Sequence, residues 1–128
     1  MGHKISIENK SILFCAVEKL VRMTIKKALE LEGTKVYLAS NGLEAIEIIK
    51  SESIDVVVTE EMLPYQSGLE LIKICDDLNL PSIIISDSDL ENRILQSFEL
   101  GTYDFIDKPY SPNELVVRIK NVLRFSKK

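Results

Sequence analysis

Along this chain, short unbroken apolar runs alternate with stretches in which apolar residues return every three or four positions. Unbroken runs mark strands buried on both faces; the wider spacing marks helices that bury one stripe. Ile12–Val17 is the first run and predicts a buried strand. Val21, Ile25, Ala28 and Leu29 then share one helical face, and Gly33 stops that helix. Lys35–Ala39 alternates polar and apolar residues, as a strand at a sheet edge does. Asn41, with Glu44 three residues on, opens a helix whose inner face is Ala45, Ile46 and Ile49.

The third run, Ile54–Val58, leads through Thr59 into Glu60, Glu61 and a loop closed by Pro64. Ser67 and Glu70 have the spacing of a capping box, in which each side chain satisfies the other's backbone N–H. Leu71, Ile72, Cys75 and Leu78 line the helix that follows. Ser82–Ser86 is the fourth strand. Ser88 and Glu91 repeat the capping spacing ahead of a helix to Leu100, which Gly101 ends; Leu90, Ile94, Leu95 and Phe98 give that helix a modest stripe. Tyr103–Ile106 is a short fifth strand. Ser111, Pro112 and Glu114 are a helix start: a cap, a proline at the first helical position and an acid at the third. Leu115, Val116, Ile119, Val122 and Leu123 form the cleanest amphipathic face in the chain.

Five strands alternating with five helices across short connections specify an α/β fold. Right-handed crossovers place helices on both faces of a parallel sheet, so the sheet is doubly wound. With 128 residues the chain is expected to form one domain, over residues 11–126. Residues 1–10 are expected to be a disordered leader or a cloning remnant, although Met1-Gly2 with Ser6 formally fits an N-myristoylation pattern.

Bulk properties narrow the functional classes. Apolar content of 45% and charged content of 28% are ordinary for a globular protein, and no apolar run is long enough to span a bilayer. A net charge of −4 argues against a nucleic-acid binder, which would carry a basic stripe. Cys15 and Cys75 sit in apolar segments without CxxC spacing, the usage of buried thiols in a reducing cytoplasm. The single histidine, His3, lies in the polar leader, so no histidine-based catalytic or metal site is expected.

In open parallel sheets chemistry gathers past the carboxyl ends of the strands. Three polar residues stand there: Glu60 after the third strand, Ser86 after the fourth and Lys108 after the fifth, the last followed by Pro109. Neighbouring strands lie under about 5 Å apart, so the three can converge at one sheet edge. Taken singly each has a plainer reading: Glu60 and Glu61 as solvated loop charges, Ser86 as a turn residue, Lys108 as a surface lysine.

With Pro64 four residues past Glu60, Gly68, Ser86, Gly101 and Lys108-Pro109, the chain resembles the receiver domain of two-component response regulators over about residues 10–125. The resemblance implies the flavodoxin-like strand order 2-1-3-4-5. It also implies that an aspartate at the position of Glu60 would accept a phosphoryl group from a histidine kinase. An acidic pair after the first strand would hold Mg²⁺. The serine and lysine would contact phosphoryl oxygens, and the Lys-Pro bond would be cis.

At the decisive positions this chain differs. Ala16 and Val17 stand where the acidic pair is expected, and Glu18 is the one acid left beside them. Glu60 replaces the acceptor aspartate, and Phe105 stands at the aromatic switch position. Mg²⁺ demands oxygen ligands, which methyl groups do not supply, so its binding is expected to be weak or absent. Without metal the transferring phosphoryl group loses its main neutralising charge, and the longer Glu60 side chain moves the nucleophile off line.

The expected function is therefore a non-enzymatic pseudo-receiver, cytoplasmic and without cofactor, acting through protein contacts. Glu60 is expected to accept hydrogen bonds from Ser86 and Lys108. A histidine kinase or an output domain is the expected partner, and residues 89–125 are the expected surface for it or for a homodimer, with Phe98, Tyr103, Tyr110 and the last helix supplying apolar area. The alternative is a receiver still phosphorylated at a degenerate site. A flavin-binding protein shares the fold class, but Ala16-Val17-Glu18-Lys19 has no glycine or hydroxyl cluster to cradle a phosphate.

Overall fold

A computed structural model describes residues 6–87 and 90–125. Five strands, β1 (Ser11–Cys15), β2 (Lys35–Ala39), β3 (Val56–Glu60), β4 (Ser82–Ser86) and β5 (Asp104–Asp107), alternate with five helices. These are α1 (Lys19–Glu30), α2 (Gly42–Ser51), α3 (Gly68–Asp77), α4 (Glu91–Glu99) and α5 (Pro112–Phe125). The strands form one parallel sheet in the order β2-β1-β3-β4-β5. That is the doubly wound, flavodoxin-like arrangement, with its carboxyl ends along a single edge.

The unbroken apolar runs fall on the three inner strands. Every residue of β1, β3 and β4 is buried, whereas β2 at one edge is mostly half-exposed, as its alternation predicts. Alternate side chains feed two cores. Ile12, Phe14, Val56, Val58, Ile83 and Ile85 meet α1 and α5 on one face. Leu13, Cys15 and Val57 meet Ala45 of α2 with Leu71 and Cys75 of α3 on the other. Each such Val, Leu or Ile contributes about 1.5–3 kcal/mol by leaving water.

The helix starts follow their local signals. Asn41 accepts from the Glu44 N–H at 2.9 Å, Ser67 and Glu70 form the reciprocal box, and Ser111 accepts from the Glu114 N–H at 3.0 Å. The start of α4 departs from expectation. Its N-cap residue is Leu90, which offers no side-chain acceptor, and Ser88 lies outside the described residues. Most of the stripe expected on this helix does not face inward either: Leu90, Leu95 and Phe98 are exposed, Ile94 is half-buried, and the fully buried residue of α4 is Ser97. Leu78, expected on the inner face of α3, is likewise exposed at its C-cap.

Two boundaries shift in ways that matter. β3 runs Val56–Glu60, so Glu60 ends the strand and is no loop charge. The segment before β1, expected to be disordered up to residue 10, is packed from Ile7 onward. Ile7 is buried in the core, and Asn9 N–H donates to the Gly33 carbonyl at 2.9 Å, tying the segment to the turn after α1. The remainder of that leader, residues 1–5, lies outside the described residues.

Candidate functional site

The three strand-end residues come to the edge by the register of the sheet. Glu60 pairs with Ile85 across β3 and β4, and Ser86 pairs with Asp107 across β4 and β5. Lys108 N–H extends that ladder, donating to the Ser86 carbonyl at 2.9 Å. The next peptide, Lys108–Pro109, is cis. Gly68 lets α3 start hard against the end of β3. Its N–H donates to the Glu61 carbonyl at 2.8 Å, and a methyl group on it would strike the Glu60 carbonyl and the Glu61 backbone.

Glu60 is buried, and both of its carboxylate oxygens are held. Oε2 lies 3.1 Å from Lys108 Nζ. Oε1 accepts the Val17 N–H at 3.0 Å. The loop that carries Val17 is fixed in turn by Arg22 of α1, whose Nη1 donates to the Ala16 and Val17 carbonyls at 2.8 Å each. Lysine, backbone N–H and arginine therefore tie β5, β3, the first loop and α1 into one chain of charge-assisted bonds.

Ser86 makes a different partnership from the one expected. Its hydroxyl donates to Glu61 Oε1 at 2.5 Å, not to Glu60. Glu61 is buried rather than solvated, and its other oxygen is paired with the Arg93 guanidinium on α4. The sequence reading missed Glu61 and Arg93. One signal was present: a cation in the first turn of a helix opposes the macrodipole there and needs a specific partner.

The remaining expected positions fall as follows. Ala16 is buried and Val17 exposed, and neither side chain carries an oxygen donor. Glu18 is exposed at the N-cap of α1 and makes no capping bond. Phe105 is half-buried on β5. Tyr110, expected on the association surface, instead packs on the α1–α5 core and lines a groove of about 620 Å³ with Glu18, Val21, Ile25, Glu60 and Lys108. Burial first, and the Glu60 charge after it, push the Tyr110 hydroxyl up to about 12, so it stays protonated. Burial also pushes the Cys75 thiol up to about 12 and the Cys15 thiol higher still.

Mg²⁺ has to be held by several oxygen ligands. Among the described residues no three His, Cys, Asp or Glu side chains are grouped to hold a metal ion. Glu60 spends its oxygens on a lysine and a backbone N–H. The arrangement stores a neutralised carboxylate where metal chemistry would need a carboxylate cluster.

Residues 12–120 match the family model described as the response regulator receiver domain. The chain is 37% identical over 119 residues to the phosphate regulon transcriptional regulatory protein PhoB of Pseudomonas aeruginosa, covering 90% of this chain and 52% of that protein. It is 32% identical over 117 residues to the transcriptional regulatory protein SrrA of Staphylococcus aureus, covering 91% of this chain and 48% of that protein. The chain thus spans about half the length of these curated relatives. Among solved structures, the receiver domain of the Francisella response regulator 1452 superposes with a TM-score of 0.87 at 30% identity, over 93% of this chain and 100% of that one. No described helix is long and apolar enough to cross a membrane.

Proposed function

Because the chain belongs to the response regulator receiver domain family, we propose that it is a pseudo-receiver, a signalling module whose state is set by its own side chains and not by phosphorylation. The observation that carries this reading is the double engagement of Glu60. Lys108 and the Val17 N–H hold both carboxylate oxygens beside Ala16 and Val17, where the family's chemistry requires acids. A nucleophile must offer a lone pair in line with the phosphoryl group, and the transfer needs metal to neutralise charge. This site offers neither.

The work then falls to protein contact, with no catalytic turnover, no cofactor and no part for nucleic acid in this domain. The face formed by α4, β5 and α5 carries exposed Leu95, Phe98, Tyr103 and Val117, an apolar surface for an output domain, a kinase or a second copy of the chain. The names of the relatives, transcriptional regulatory proteins, favour an output domain as the partner.

Two-dimensional NMR with and without Mg²⁺ and beryllium fluoride tests the reading. The expected spectra are unchanged. Specific shifts clustered at residues 16, 60, 86 and 108 would overturn it in favour of a working acceptor.

A further inference from the structure

Helix α4 has an unusual hold on the molecule. The other helices bury leucine, isoleucine or alanine against the sheet, whereas the buried residue of α4 is Ser97, whose hydroxyl turns back to the Ile94 carbonyl at 2.8 Å. Apolar burial is the usual source of helix docking, and here it is thin. Among the described residues, Arg93 joins the start of α4 to the strand ends. Its guanidinium pairs with Glu61, just past β3, and Glu61 also takes the Ser86 hydroxyl at the end of β4. The Glu61 side chain is 6% exposed and that of Arg93 is 39% exposed, so the carboxylate is the desolvated partner. Arg93 Nε and Glu61 Oε2 are both buried with no hydrogen-bond partner among the described residues, so the ion pair is what sets one charge against the other.

From this we infer that Glu61, Ser86 and Arg93 form a latch that fixes α4 on the sheet and thereby holds the α4–β5–α5 face in one conformation. The latch rests on the proposed function only in taking that face as the output surface; its geometry does not depend on whether Glu60 can be phosphorylated. The elements it joins are the ends of β3 and β4 and the first turn of α4. Charge inside the chain thus links the strand ends to the output face. The single proton of the Ser86 hydroxyl goes to Glu61.

Removing one partner of a desolvated pair strands the other, and the segment it anchored opens more often. Amide hydrogen exchange of the whole chain reads this directly. Arg93→Met and Glu61→Gln are each expected to speed exchange of the α4 amides about tenfold or more, with amides of β1 and β3 little changed. The double variant should add little to Arg93→Met alone, because each change breaks the same contact. If Arg93→Met unfolds the protein, Glu61→Gln, which keeps the size and a hydrogen-bonding amide, carries the test. Exchange of α4 at the parent rate in the folded variants, or fully additive effects, would overturn the latch. Beryllium fluoride with Mg²⁺ on the parent separates the two ideas. A response there with a loosened α4 in the variants keeps the latch and removes phosphate independence. No response with an unmoved α4 does the reverse.

Discussion

Glu60 and Lys108 are the residues whose meeting defines the site, and their side chains differ in exposure, 10% against 38%. Stranding one member of a fully buried pair costs roughly 3–5 kcal/mol; with Lys108 partly in water the cost of Lys108→Met should be about 1–3 kcal/mol. Adding Glu60→Gln should recover part of it, since no charge is then left alone. Denaturant melts of the four proteins give the coupling, and purely additive changes would mean the pair contributes nothing. Tyr110 makes a second case. Its hydroxyl titrates near 10 in the unfolded chain and is pushed up to about 12 when folded. A group whose folded value is raised contributes stability that is complete below the unfolded value and lost as pH climbs to the folded one. The stability difference between the parent and Tyr110→Phe should therefore be constant below about pH 10 and turn against the parent from there to about pH 12. A difference that stays flat through that window would mean the hydroxyl is not shielded.

Among the elements, the seam between β3 and α3 is the most tightly specified. Ser67 and Glu70 start the helix by local chemistry, but the helix can begin where it does only because position 68 has no side chain. Gly68→Ala must push α3 away from the Glu60 and Glu61 backbone, at a cost of about 1–3 kcal/mol. NMR shifts should spread to Lys108 and Ser86, the partners of those two carboxylates. Shifts confined to α3 would show that the seam does not position the site. Helix α4 is the opposite case. Its sequence carries a helical stripe, yet Leu90, Leu95 and Phe98 of that stripe face outward, because the sheet ends at β5 and leaves little surface to cover. Periodicity locates a helix, but the width of the sheet beneath it decides how much of the stripe is buried.

At the scale of the whole molecule, positions 16, 17 and 60 belong to three points of one edge, and that can be tested by restoring acids there. Ala16→Asp, Val17→Asp and Glu60→Asp together place three carboxylates around one point, where they repel one another and attract a hard divalent cation. The triple variant should melt below the parent without Mg²⁺ and gain about 2.7 kcal/mol once Mg²⁺ stands 100-fold above its Kd. The parent should be indifferent to Mg²⁺. A triple variant equally indifferent would mean the three positions do not surround one site. The alternation of strands and helices, the burial of the inner strands and three of the helix caps were legible in the sequence, because these depend on residue type and spacing within one segment. The sequence also placed Glu60, Ser86 and Lys108 at strand ends, and their common edge follows from the parallel crossovers. Which side chain meets which was decided by tertiary structure alone. Ser86 could reach either of two adjacent carboxylates, and the sequence reading gave it to Glu60. Arg93 lies 32 residues from Glu61 in sequence, and nothing local to either residue announces the other. A buried charge is compensated by whatever the fold brings within a few ångströms, and that distance is a property of the packed sheet and helices, not of any segment of the chain.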